Sequence, residues 1–189
     1  MPSSYYIGET PVTQALWKSV MGGGNPSHFK GDSLPVETVS WDDCHDFIQK
    51  LNKKTGKSFR LPTEAEWEFA ARGGNKSRHT QYSGSDNIDE VAWYDANSND
   101  RTHPVKTKKG NELGIHDMSG NVWEWCEDWL GEYNSGAQTN PTGPRSGSNR
   151  VRRGGCWGGS PRYCRSSSRY FYAPEFSGYN LGLRLVLSE

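Results

Sequence analysis

Two carboxylates, Asp117 and Glu124, flank a tight turn in the stretch Gly114 to Trp129. Gly120-Asn121 supplies the positive φ that such a turn requires. Carboxylates beside the free carbonyls of a turn are the oxygen-only donor set that Ca²⁺ takes. The alternative is structural: Val122 to Trp125 alternates with a period of two, so Trp123 and Trp125 enter a core while Glu124 pairs with an arginine. The four cysteines, Cys44, Cys126, Cys156 and Cys164, form no CxxC pair, which argues against zinc. Cys44 and Cys126 have apolar neighbours and read as buried thiols, leaving Cys156 and Cys164 for chemical scrutiny. The five histidines lack ligand spacing. Gly56-Lys57-Ser58 resembles the end of a phosphate loop, but Leu51 stands where that loop needs glycine. GxSxG, HExxH and GxGxxG are absent, and no carboxylate pair stands out for acid–base work.

The elements that position these residues must be built from few, large side chains. Of 189 residues only 32% are hydrophobic, yet there are 8 Trp, 9 Tyr and 6 Phe. With 22 Gly and 10 Pro, this describes one loop-rich domain, residues 1–189. Basic and acidic residues balance at 22 each, which gives no reason to expect nucleic-acid or membrane affinity. No apolar run reaches the roughly 18–20 residues of a membrane helix. No leader-like pattern precedes Tyr5, and compartment is not read from that.

Tyr5-Tyr6-Ile7 reads as a strand, followed by a helix capped by Thr13 and ending near Met21. Ser40 with Asp43 opens a second helix whose stripe is Trp41, Cys44, Phe47, Ile48 and Leu51, with Gly56 as its stop and His45 on its solvated side. Phe59 to Leu61 is a short strand. Thr63 and Glu66 form a capping box for a third helix, closed by Arg72-Gly73-Gly74. Residues up to about Lys109 are read as ordered surface loop, and Gly131 to Asn149 as a second long loop. Further strands are expected at Arg150–Arg153, Arg165–Tyr170 and Leu181–Leu187. Alternating arginines in the first of these are expected to pair with core-lining carboxylates.

Six segments together resemble the formylglycine-generating enzyme (sulfatase-modifying factor) family. They are Tyr6 to Gln14, Asn25 to Phe29, Leu34 to Trp41, Arg60 to Glu68, Gly120 to Trp125, and Arg153-Gly154-Gly155 through Leu181-Gly182-Leu183-Arg184. The resemblance spans nearly the whole chain and implies an α+β, irregular C-type-lectin-like fold with small antiparallel sheets, the family's first strand upstream of Tyr5 being missing or shortened. It also implies calcium ligands at Asp117, Gly120, Val122 and Glu124, the glycine and valine through their carbonyls. The family's oxidases hold copper between two cysteines after the double glycine. Cys164 matches the second, the first falls on Gly159, and Cys156 has the wrong spacing to replace it. One thiolate does not make that Cu(I) site, so copper and formylglycine-generating activity are not expected. The copper-dependent oxidase is the alternative reading.

A further branch that the chain resembles comprises the variable proteins of diversity-generating retroelements, whose last forty or so residues carry a hypervariable surface. Here a frame of Gly154-Gly155, Trp157, Cys164-Arg165-Ser166, Arg169, Pro174 and Leu181 to Arg184 is interleaved with residues of the replacement type. Those are Gly158, Gly159, Arg162, Tyr163, Ser168, Tyr170, Tyr172, Ala173, Phe176, Gly178 and Tyr179, with Cys156 as a further member. The resemblance thus makes 150–187 the candidate ligand-binding region of a non-catalytic protein. Its partner would be a protein or other macromolecule of unknown identity, and export or surface exposure is implied by the resemblance alone. Tyr, Phe, Ser and Gly are also the residues of antibody paratopes, giving contact area with few rotors to freeze.

Overall fold

The computed structural model describes residues 4–133 and 135–188. Strand β1 (Tyr5–Ile7) leads to α1 (Gln14–Met21), where the Thr13 hydroxyl accepts the Leu16 N–H and Gly22 in the left-handed region closes the last turn. Helix α2 (Trp41–Thr55) starts at a reciprocal capping box between Ser40 and Asp43 and stops at left-handed Gly56. After β2 (Phe59–Arg60), α3 (Glu64–Ala71) opens on a second box between Thr63 and Glu66. The stretch read as loop holds a 3-10 turn at Gly74–Lys76 and a short α-helix, α4 (Ile88–Val91), capped by the Asn87 side chain. A single turn has too few periodic positions to show in sequence.

The remaining strands are β3 (Trp123–Trp129), β4 (Arg150–Arg153), β5 (Arg169–Tyr172), β6 (Leu181–Gly182) and β7 (Val186–Ser188). Two sheets result, in the orders β1-β7-β2 and β5-β4-β3-β6. All pairs are antiparallel except β3 with β6, which are parallel.

Two expectations are corrected. The strand placed at Arg165–Tyr170 begins only at Arg169, because Ser168 N–H turns back to the Arg165 carbonyl. The strand placed at Leu181–Leu187 is two strands in different sheets. Between them the Leu183 and Leu185 carbonyls accept from Val12 and Gly8, and the Arg184 side chain turns into the interior.

The main core lies between α1, α2 and the second sheet, where Trp17 stacks on Phe47 at 4.8 Å and Trp123, Trp125, Leu181 and Leu183 close over them. A smaller core of Trp67, Met118, Cys126 and Val151 fills the opposite side of that sheet, under α3.

Candidate functional site

Cross-strand partners share a face of the sheet, which sorts the second sheet into two chemically different surfaces. Glu124 opposes Arg153, and Arg153 opposes Arg169; Trp125 opposes Arg152, and Arg152 opposes Tyr170. The first set is the α3 side and is ionic. The second is aromatic.

On the ionic side, Arg184 grips Glu124 with Nε to Oε2 at 2.9 Å and Nη2 to Oε1 at 2.8 Å. Trp67 Nε1 donates to the same Oε2 at 2.7 Å. Arg184 also donates to the Gly8 carbonyl at 2.7 Å and the His116 carbonyl at 2.8 Å. Asp117, at φ 59°, accepts the Lys106 N–H at 2.7 Å. Burial raises the Asp117 carboxyl above its usual range, and that N–H and Arg184 oppose the rise. Asp117, Gly120, Val122 and Glu124 are all buried, and the positive charge standing among them is Arg184. Three of the roughly four lone-pair directions of Glu124 are therefore taken by protein donors. The turn itself needs Gly120, because a Cβ there would overlap the Trp93 backbone.

Farther along this side, Arg153 binds Glu68 and also donates to the Ser166, Ser167 and Ser168 carbonyls at 3.0, 3.1 and 2.8 Å. Arg169 Nε lies 2.9 Å from Glu64 Oε1. Asp128 accepts the Glu64 N–H at 2.8 Å, and burial lifts its pKa to about 6. A cavity of about 800 Å³ opens here beside residues 138–144, lined by Glu64, Glu68, Asp128 and Arg169. Glu64 and Glu68 are already paired with Arg169 and Arg153, and Asp128 holds a main-chain N–H.

On the aromatic side, Tyr163 meets Tyr170 edge-on at 5.0 Å, and Trp123 lies 5.5 Å from Tyr170. Tyr172 stacks on Phe176 at 3.8 Å, and Tyr179 on Trp157 at 5.9 Å. Tyr170, Tyr172 and Tyr179 are exposed, Tyr163 and Phe176 half-buried. Arg152 lies beneath, its guanidinium carbon 4.5 Å from the Trp123 ring centre and 4.3 Å from that of Tyr172. The alternating arginines expected to meet carboxylates are Arg150 and Arg152, and neither does: Arg150 donates to the Glu127 main-chain carbonyl, and the arginine that pairs with an acid is Arg153. Sequence gave no sign of Arg152, because neighbouring arginines look alike until the pleat sends them to opposite faces.

Gly158 and Arg162 are also exposed, and Ser168, Ala173 and Gly178 half-buried. Phe171, absent from the expected set, is exposed on the other face of β5. Cys156 and Gly159 are not displayed: both are buried, and Cys156 belongs to the main core. Cys164 packs in a separate cluster with Tyr82, Val91 and Tyr94. All four thiols are free, and burial raises the pKa of each. Among the described residues no group of three or more His, Cys, Asp or Glu side chains is placed to hold a metal ion.

The family model of the sulfatase-modifying factor enzyme 1-like domain matches residues 2–189, and the chain belongs to that family. It is 35% identical, over 99% of its length and 81% of the relative's, to the chaperone protein LppX of Paenibacillus barcinonensis. It is 36% identical over 92% of its length to the formylglycine-generating enzyme of Streptomyces coelicolor, of which it spans 58%. Among solved structures, Treponema denticola variable protein 1 superposes with a TM-score of 0.92 at 37% identity, covering 98% of this chain and 84% of that one. The Major Tropism Determinant M1 variant, 17% identical, superposes with a TM-score of 0.58 over 97% of this chain and 50% of its own. That likeness extends to the fold alone. The fold is the expected α+β C-type-lectin-like one. Among the described residues no helix is long and apolar enough to cross a membrane.

Proposed function

We propose that this protein is a non-catalytic ligand-binding protein, a variable protein of the diversity-generating-retroelement kind. Its receptor surface is the aromatic face of the β5-β4-β3-β6 sheet and the loops after β4 and β5. The observation that carries this reading is how that segment is held. Frame residues grip it by its main chain: Thr38 N–H to the Gly178 carbonyl, Trp41 N–H to Pro174, Asp95 N–H to Gly159, Trp123 N–H to Asn180, and the Arg153 guanidinium to residues 166–168. A carbonyl is present whatever the side chain, so residues can exchange at Ser168 and Gly178, and at the candidate positions between the frame anchors Ser166, Pro174 and Asn180, without loss of an anchor. The likeness to Treponema denticola variable protein 1 supports the same reading. Three exposed tyrosines beside half-buried Phe176 form the kind of patch that soluble proteins keep for a partner.

The oxidase reading is weakened by the cysteines. Gly159 stands at the expected position of the first copper ligand, and Cys164 and Cys156, though neighbours, are both buried thiols whose pKa burial raises. Deep sequencing of codons 150–187 across a population, with the adjacent DNA, tests the display role. Substitutions confined to the exposed and half-buried positions, matched to a nearby template copy, are expected. An invariant segment together with copper-dependent oxygen uptake on a cysteine-containing peptide would replace this reading with an oxidase.

A further inference from the structure

Arg152 is 7% exposed, and its Nε is sealed from solvent without a hydrogen-bond partner. Its surroundings are rings: Trp123 at 4.5 Å, Tyr172 at 4.3 Å and Tyr170 at 5.8 Å. The polar groups nearest its charge are the Tyr172 hydroxyl, to which it hydrogen-bonds, the Tyr170 hydroxyl and the Cys156 thiol, all neutral near pH 7, with no carboxylate among them. Among the described residues every other buried arginine has an acidic partner: Arg153 has Glu68 and Arg184 has Glu124. A desolvated guanidinium without a counter-ion is costly, and cation–π contacts offset only part of that cost. Burial accordingly pulls its pKa below the ordinary guanidinium value. The side chain sits directly under the two exposed tyrosines of β5, at the middle of the aromatic face.

Resting on the display reading above, we propose that Arg152 is a built-in anion subsite, and that the ligand is a protein segment bringing an Asp or Glu carboxylate to it between Tyr170 and Tyr172. Charge matching selects the carboxylate. One guanidinium carries one positive charge, and its planar fork fits a monoanionic carboxylate through two parallel N–H donors. Its neighbour on the same face, Arg150, is stacked between Trp41 and Trp129 at 3.7 and 3.4 Å and donates to the Glu127 carbonyl, so it is not free to share a dianion. Arg153 faces the other way. The ring of tyrosines excludes water, which strengthens the pair once formed.

The test is to pan a random dodecapeptide library on three proteins. These are wild type, Arg152→Met, which keeps the buried stem volume, and Tyr170→Ala/Tyr172→Ala/Tyr179→Ala, which strips the face. Near-ultraviolet circular dichroism verifies that each is folded, and Arg152→Lys serves as a second probe that keeps the charge and loses the fork. Peptides from wild type should share one fixed Asp or Glu. They should bind Arg152→Met about tenfold or more weakly, as expected for a lost charge-assisted pair. The Asp→Asn form of the peptide should show the same loss. Peptides that lose binding to the triple variant but bind Arg152→Met unchanged would overturn the anion subsite and leave the display reading standing. Peptides that bind all three proteins equally would overturn both. Inorganic phosphate competing as well as N-acetyl-aspartate would overturn the choice of a carboxylate.

Discussion

At the scale of single residues, the chain separates charges that hold the fold from a charge left for something else. Glu124 is fully buried with Arg184 bidentate on it and Trp67 on one oxygen. Removing one partner strands a buried guanidinium, so Glu124→Ala should lose about 3–5 kcal/mol in urea unfolding. We infer that Arg184 serves as the cation of this stretch; wild-type melting should then be the same in calcium and in chelator, and a calcium-dependent rise in Tm that Glu124→Ala abolishes would restore the calcium reading. Asp128 gives a pH signature. Its native pKa is lifted to about 6 from 3.8 by burial, so between these values the native state binds more proton than the unfolded chain. Its contribution therefore becomes less favourable as pH rises through that window. Asp128→Asn retains an acceptor for the Glu64 N–H, and its stability relative to wild type should improve from pH 4.5 to pH 7.5. A constant difference across that range would show that Asp128 titrates normally.

At the scale of elements, helix starts are local chemistry and the sequence states them openly. Ser40 with Asp43 and Thr63 with Glu66 form reciprocal boxes in three dimensions. Thr63→Ala should cost about 1 kcal/mol, read from a denaturant midpoint shift at unchanged slope. Glu66 would keep its bidentate pair with Arg60, so a cost near zero would show that this pair alone holds the helix start. The strands were less legible, because strand identity depends on partners distant in sequence. Leu181 to Leu187 reads as one apolar run, yet its first two residues lie beside β3 and its end lies between β1 and β2. Nothing local marks Leu183 to Leu185 as the crossing. The same limit hid Arg152: its type was visible, but the absence of a counter-ion is a property of the face that β3, β4 and β5 build together. Conversely, Cys156 looked displayable by position, and only the packing of Trp123 and Leu181 reveals it as core.

At the scale of the whole molecule, the design is a rigid frame with a decoupled surface. Trp67, Trp125, Arg153 and Arg184 are fully buried and tie α3, both sheets and the C-terminal crossing into one unit. The loops after β4 and β5 hang from that unit by main-chain carbonyls, so their exposed side chains contribute little to holding it. This predicts an asymmetry between neighbours. Replacing Tyr170, Tyr172 and Tyr179 together by alanine should lower stability by only about 1–2 kcal/mol, since the rings are largely exposed and what is lost is their surface stacking and the cation–π contact with Arg152, which water then solvates. Tyr163 is also in the candidate set but packs against the main core beside Trp123, so Tyr163→Ala alone should cost about 2 kcal/mol or more. Gly155→Ala should cost more than the triple change, because φ there is +76° and a Cβ would stand 2.8 Å from Cys164 Sγ. Chemical denaturation of the three proteins orders them directly. If the tyrosine triple proves as destabilising as Gly155→Ala, the rings are part of the frame, and a surface free to vary is the wrong description of this face. If the order holds, sequence can change at the rim while the frame's stability is kept, which is the physical condition that a diversified receptor must satisfy.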